Sequence, residues 1–326
     1  MHSAPRILIM GAGAIGCTLA WHLAGTQAAV TLLARGARAD ALAQRGITLR
    51  QHGQAVGTRP VRTVDALPEG ETWDAVFVCV KQYDLAAALH RLQPLIAQGA
   101  TVIPVINGVP WWLLQTHALL HSVPAKDWGA AYADYPHIDP ARLLGGVIHV
   151  PAEMLDDCTV EQGGRNALLL GEIDGTMSPR LLELTACINQ SALQCEASSH
   201  IQNDLWTKLL GNVVFNPVSA LANATMHEIL NDAELRALCV RMMTEAKAVG
   251  NALGLAHDVS VAQRIQQGAS AGHARTSMLQ DALAGKRIEG DTLVGSVTQI
   301  ARHTGIATPA LDGVWALLRS RFLRTP

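Results

Sequence analysis

The chain has 326 residues, of which 49% are hydrophobic, enough for two domains of ordinary size around a large buried core. A formal net charge of −2 without any block of Lys or Arg excludes a nucleic-acid surface, and three Phe and three Tyr give no platform on which bases could stack. The six cysteines, Cys17, Cys79, Cys158, Cys187, Cys195 and Cys239, make no C-x-x-C pair, so they read as buried thiols of a reducing, cytoplasmic protein and not as a disulfide framework or zinc knuckle.

Between Arg6 and Arg35 no residue carries a fixed charge. A signal peptide or a membrane span would look similar, but the glycines, His22 and Gln27 interrupt a continuous apolar helix. The stretch reads instead as strand (Ile7 to Met10), glycine turn, helix (to Ala24) and strand (Val30 to Leu33), with no membrane involved. The turn is Gly11-Ala12-Gly13-Ala14-Ile15-Gly16. In a G-x-G-x-x-G turn the first glycine makes the bend, the second admits a pyrophosphate, and the third lets helix and strand pack. The phosphates would sit on the unpaired N–H groups of the helix start.

The tip of the second strand distinguishes NAD from NADP. An acidic residue there would accept from the ribose 2′-hydroxyl and repel a 2′-phosphate. Here the strand ends Leu33-Ala34-Arg35, and Arg38 follows. A guanidinium suits a phosphate dianion, so NADP(H) is the expected cofactor. A solvated loop arginine is the plainer alternative.

Beyond Arg35 the sequence is polar and punctuated by glycine to Gly57, with a short strand at Ile47 to Arg50. Asp74 to Val80 is an apolar, β-branched run that predicts a buried parallel strand, ending in Lys81. A helix is predicted over Leu85 to Leu95 and a strand over Thr101 to Ile106, although Pro104 suits a central strand poorly. Asn107-Gly108 follows, then a helix from Trp111 to Leu120. Strands at Gly145 to Pro151 and Ala167 to Gly171 and a helix at Ser178 to Asn189 complete an alternating first half, the pattern of a doubly wound α/β domain. From His200 onward strand signals vanish, and Thr308-Pro309 starts a last helix towards Leu323. The expected organisation is therefore α/β plus all-α: a Rossmann dinucleotide-binding domain over 1–198 and a helical domain over 199–326. His117 and His121 stand i,i+4, but no acidic or cysteine ligands accompany them, so no metal site is expected.

In the second half Asp204, Lys208, Asn212 and Asn216 recur every four residues and share one helical face, with Pro217 expected to end or kink the helix. An ordinary i,i+4 ion pair between Asp204 and Lys208, with solvated asparagines, is one reading. A cleft-lining stripe whose half-withdrawn lysine donates a proton near neutral pH is the other. Ser277 with Gln280 fits a capping box, and Glu289 alone reads as a surface carboxylate.

Taken together these pieces resemble the ketopantoate reductases (2-dehydropantoate 2-reductases) over nearly the whole chain. The resemblance is carried, in order, by Gly11 to Gly16, Arg35, Val80-Lys81, Ile106-Asn107-Gly108, Trp206-Thr207-Lys208-Leu209 with Asn212 and Asn216-Pro217, Ser277-Met278-Leu279-Gln280-Asp281, and Arg287-Ile288-Glu289. It implies a Rossmann domain joined to a helical one with the active site in the cleft between them. NADPH would pass hydride to C2 of a 2-oxo acid, 2-dehydropantoate in pantothenate biosynthesis. It implies Lys208 as general acid, Glu289 on the substrate hydroxyl and holding the lysine, Ser277 on the carboxylate, Lys81 and Asn107 at the nicotinamide end, and Asn212 and Asn216 contacting or supporting the substrate. A reductase of another 2-oxo acid, or an NADP-binding sensor without catalysis, are the competing expectations.

The chain departs from the family pattern at Ala274, where many members have Asn, and at Gly290, where many read Glu-Ile-Asp. Trp111 and Trp112 put two indoles just past the nicotinamide-side loop, as core or as a reshaped acyl pocket. The helical half has apolar surface enough for a homodimer.

Overall fold

A computed structural model describes residues 4–129, 131–255, 259–269 and 272–323. The chain divides into two compact units, 1–106 with 136–201 and 107–135 with 202–326.

The first unit opens with β1 (Arg6–Met10), α1 (Ala14–Leu23), β2 (Ala29–Leu33), α2 (Ala37–Arg45), β3 (Ile47–Gln51), β4 (Gln54–Arg59), β5 (Arg62–Val64), β6 (Ala75–Val78), α3 (Gln82–Ala97) and β7 (Thr101–Pro104). The chain then leaves for α4 (Trp111–Thr116) in the second unit and returns as β8 (Leu144–His149), β9 (Ala152–Met154), β10 (Thr159–Gln162), β11 (Ala167–Glu172), α5 (Pro179–Ile188) and β12 (Gln194–Ala197). Five parallel strands run in the order β5-β2-β1-β6-β7. The chain winds outward from β1 on one side through β2 and on the other through β6. The carboxyl end of β1 is therefore the switch point, where an open α/β sheet leaves a crevice for a ligand. The charge-free stretch is accounted for by β1, α1 and β2, with Ile7, Leu8, Ile9, Leu19, Leu23 and Leu32 wholly buried. Among the described residues no helix is long and apolar enough to cross a membrane.

The polar segment after Arg35 is more ordered than its composition suggests. β3 and β4 form a hairpin whose two loop residues, His52 and Gly53, both have positive φ (51° and 74°), the turn whose twist matches paired strands. His-Gly is a weaker signal than Asn-Gly, and β4 is too polar to show as a strand in the sequence. With β10 and β9 it makes a small second sheet that braces α1. Arg59 lies 3.7 Å over the Trp21 ring, the Trp21 indole N–H donates to the Gly57 carbonyl at 3.1 Å, and His22 Nε2 lies 2.9 Å from Gln162 Oε1. β8, β11 and β12 form a third, mixed sheet. The predicted strand over Thr101 to Ile106 stops at Pro104, although the Val105 N–H still donates to the Val78 carbonyl of β6 at 3.0 Å.

The second unit holds α6 (Ile201–Ala222), α7 (Met226–Asn231), α8 (Ala233–Ala252), α9 (Val261–Ala269), α10 (Ser277–Leu283), α11 (Ser296–Thr304) and α12 (Pro309–Phe322). A single π-helical turn, Asp291–Gly295, runs into α11. Pro217 does not end α6, which continues to Ala222. Val218, Ser219 and Ala220 are buried, and that packing carries the helix past the one hydrogen bond proline cannot make. The predicted helix from Trp111 to Leu120 is shorter, closing at Thr116.

The division is not a single cut at 198/199. It falls at 201/202, and 107–135 belongs with the helical half. The Val109 N–H donates to the Thr292 carbonyl at 2.9 Å, His117 Nε2 lies 2.9 Å from the Leu253 carbonyl, and Trp128 stacks edge-on against His303. A cut read from helical periodicity alone cannot see a segment that joins the second unit before that unit's main sequence begins.

Candidate active site

In the first unit the site begins where β1 ends. Gly11 has φ +112°, and a Cβ there would lie 2.8 Å from the Cys79 carbonyl oxygen; a Cβ on Gly16 would lie 1.8 Å from the Gly11 oxygen. Those two glycines are required by the protein itself. Gly13 is different, since a Cβ there would meet nothing within 4 Å. The space above it is open, which is what a backbone needs if a phosphate is to approach closely. Gly13 also N-caps α1 with no side-chain hydrogen bond, and the first intrahelical bond runs from the Cys17 N–H to the Gly13 carbonyl at 2.9 Å. The N–H groups ahead of Cys17 thus have no acceptor inside the helix and sit at its positive end. Ala12, Ala14 and Ile15 keep this loop small and uncharged. The donor set fits a dinucleotide pyrophosphate. Cys17 and Cys79, beside the loop, are not nucleophiles: burial pushes the Cys17 thiol up to about 12 and raises that of Cys79 as well.

Arg35 stands just past β2, largely exposed, with Nη2 3.9 Å from Asp84 Oδ2. Arg38 is committed elsewhere. Its Nη1 donates to the Ala12 carbonyl at 3.1 Å and its Nε to Asp157 Oδ1 at 3.1 Å, so it braces the glycine loop instead of adding to a phosphate site. Lys81 is the half-buried N-cap residue of α3, three residues past the end of β6.

The second unit gathers the remaining residues. On α6, Leu205, Trp206, Leu209, Leu210, Val213 and Val214 are buried, and Trp206 Nε1 donates to the Ala246 carbonyl of α8 at 3.2 Å. That packing fixes the rotation of the helix and so the direction of its polar stripe. Lys208 and Asn212 are half-buried and Asn216 is buried. Lys208 Nζ donates to Asn107 Oδ1 at 3.2 Å and Asn212 Nδ2 donates to the same oxygen at 3.3 Å. Two donors on one amide oxygen hold the ammonium group in place.

Asn107 is itself held by backbone. Gly108 has φ +84°, and a Cβ on it would lie 2.5 Å from the Thr292 carbonyl oxygen; the next N–H, of Val109, donates to that oxygen. Ser296 Oγ donates to it as well, at 2.6 Å. Thr292 lies in the π-helical turn, a distortion that recurs at functional sites.

Asn107, Asn216, Ser277, Met278, Asp281, Glu289 and Leu293 line an open recess. Four of the residues expected at the substrate, Asn107, Asn216, Ser277 and Glu289, therefore share one recess, and Lys208 and Asn212 are tied to it through Asn107. The capping box expected of Ser277 with Gln280 does not form. Thr276 is the N-cap, accepting from the Leu279 N–H at 3.2 Å, which leaves the Ser277 hydroxyl for the recess. Asp281 belongs to the Ser277-to-Asp281 motif without a role assigned to it there; it follows Ser277 by four residues and so shares its helical face. Asp291, just beyond Glu289, has its carboxyl raised by burial, an effect opposed by Arg287 and Arg319.

Trp111 and Trp112 are each 1% exposed and do not line the recess, so they belong to the core. Ala274 is exposed. At Gly290 a Cβ would lie 2.9 Å from Leu318 and 3.2 Å from Trp315, so the residue is small because bulky side chains of α12 fill its space. Among the described residues no group of three or more His, Cys, Asp or Glu could hold a metal ion.

Two family models match: Ketopantoate reductase PanE/ApbA over residues 7–175 and Ketopantoate reductase PanE/ApbA C terminal over residues 200–321. A 2-dehydropantoate 2-reductase of Mesorhizobium japonicum is 34% identical over 316 residues, covering 96% of this chain and 97% of that protein. A crystal structure of a Ralstonia solanacearum protein, assigned provisionally to the ketopantoate reductases, superposes with a TM-score of 0.87 at 36% identity over 98% of both chains. D-mandelate dehydrogenase, solved with NADH and anilino(oxo)acetate, superposes with a TM-score of 0.81 at 18% identity over 97% of both chains, which shows a shared fold.

Proposed function

The chain belongs to the ketopantoate reductase family of nicotinamide-dependent oxidoreductases, and from that premise we propose that it reduces a 2-oxo acid to the 2-hydroxy acid with NADPH, 2-dehydropantoate being the leading substrate. The observation that carries this reading is the tether of Lys208 through Asn107 to a recess walled by Asn216, Ser277 and Glu289.

When bound, the nicotinamide supplies a hydride to the carbonyl carbon of the substrate. Lys208 meets the oxygen. Negative charge grows on that oxygen during the reaction, so a fixed ammonium stabilises the transition state more than the ground state and then gives up its proton. Asn107 and Asn212 keep the ammonium aimed. Ser277 donates to the substrate carboxylate, Glu289 accepts from a substrate hydroxyl, and Asn216 supports the substrate from α6. In the first unit the glycine loop from Gly11 to Gly16 takes the pyrophosphate, Lys81 serves the nicotinamide end, and Arg35 takes the 2′-phosphate.

The departures from the family pattern do not argue for another substrate. Trp111, Trp112 and Gly290 serve packing, and Ala274 is an exposed residue outside the recess. Glu289 in the same recess as Ser277 favours an acid that also carries a hydroxyl.

The test is loss of reduced-nicotinamide absorbance with NADPH and NADH against a panel of 2-oxo acids. The expected outcome is turnover with NADPH, fastest with 2-dehydropantoate. Faster turnover of a different acid would reassign the substrate, and no turnover of any would leave a dinucleotide-binding sensor as the reading.

A further inference from the structure

The 2′ position of a bound dinucleotide is read beside the tip of β2, where an acidic residue usually selects NAD. β2 brings no carboxylate of its own. The sheet order nevertheless places β2 and β6 on either side of β1, and the helix that follows β6 supplies one: Asp84, in the first turn of α3, lies 3.9 Å from the Arg35 guanidinium. Both side chains are open to a ligand, Arg35 being 77% and Asp84 48% exposed. The second cation past β2 is neutralised too, since Arg38 is paired with Asp157 and bonded to the Ala12 carbonyl. Each arginine that would attract a phosphate dianion thus already faces an aspartate.

We propose that Asp84 sets how strongly the protein prefers NADPH over NADH, because a 2′-phosphate must share or take Arg35 from the Asp84 carboxylate. A ribose with a free 2′-hydroxyl pays no such penalty. The inference rests on the reading of Arg35 as the 2′-phosphate residue. An exposed charge pair about 4 Å apart in water corresponds to about a fivefold change in an equilibrium constant. Asp84 therefore lowers the preference for NADPH by about that factor. Asp84 at a helix start also favours α3 itself, but that effect bears equally on both cofactors.

The experiment is a fluorescence titration of the full chain with NADPH and with NADH, for Asp84→Asn, Asp84→Ser and Arg35→Ala. Removing the carboxylate should tighten NADPH about fivefold while NADH changes less than twofold, and the gain should shrink in about 1 M salt, where charges are screened within about 3 Å. An unchanged NADPH-to-NADH ratio in both Asp84 variants overturns the inference. Arg35→Ala separates the two failures. If it weakens both cofactors alike, Arg35 does not read the phosphate and the premise fails. If it weakens NADPH alone while the Asp84 variants leave the ratio untouched, only the role of Asp84 is lost.

Discussion

Lys208 donates to the Asn107 amide, and its placement on α6 makes its role open to a sharp test. A side chain acting only in the chemical step should be removable without disturbing the cofactor, because the glycine loop lies in the other unit. Lys208→Ala is expected to lower kcat about 10²–10⁴-fold, the usual contribution of a positioned proton donor, with the NADPH dissociation constant unchanged. Stopped-flow reduction of the 2-oxo acid, with cofactor binding measured separately, checks this, and near-normal kcat would refute the general-acid role. Lysine and its two asparagines were legible in the sequence, since a four-residue recurrence on an otherwise apolar helix is itself a signal. Ser277 and Glu289 were not. Spacing offered a capping box for one and solvent for the other, and only the resemblance gave them work. The residue that decides Ser277 is its neighbour: Thr276 takes the cap, and a Thr-Ser pair before a helix leaves that choice open until the backbone is seen.

Between elements, the tightest constraint on the site is the contact of the Asn107 loop with the π-helical turn. Gly108 combines a positive φ with no room for a methyl group, and its neighbour Val109 bonds to the same Thr292 carbonyl. Gly108→Ala must move the loop, and with it the Asn107 oxygen that holds Lys208. A displacement of about 1 Å at a reacting group can cost about 10²-fold in rate, whereas strain of this kind costs about 1–3 kcal/mol of stability. The variant should therefore fold with a lowered Tm and show kcat reduced about 10²-fold, with NADPH affinity intact. Wild-type kcat in a folded Gly108→Ala protein would show that the loop does not position Asn107. The sequence pointed to Asn107-Gly108 as a motif but gave no hint of its partner, because a π turn has no compositional signature and Thr292 lies nearly two hundred residues away. The strands facing the nucleotide were legible for the opposite reason: β1 and β6 are apolar and buried nearly throughout and β2 is buried over its last three residues, while β4 has no buried residue to betray it.

At the scale of the whole chain, the loop after β7 carries the boundary between the units into the middle of the α/β sequence. Tyr132 donates to the Val109 carbonyl at 2.7 Å, and His303 Nε2 lies 3.0 Å from the Leu119 carbonyl, so 107–135 is held by itself and by the helical half. Trp111, Trp112 and Trp128 are buried there, at 1%, 1% and 5% exposure. A fragment ending at residue 201 would carry these three indoles without the helices that enclose them. It should show red-shifted tryptophan emission and bind a hydrophobic dye, as chains with unburied apolar surface do. The same fragment with 107–135 replaced by a flexible linker of about ten residues should lose the dye binding and melt cooperatively. If the simple 1–201 fragment instead keeps native-like emission and a single sharp transition, then 107–135 folds with the nucleotide-binding half. Asn107 would then be a residue that half presents, and Lys208 would be positioned by a neighbour foreign to its own unit.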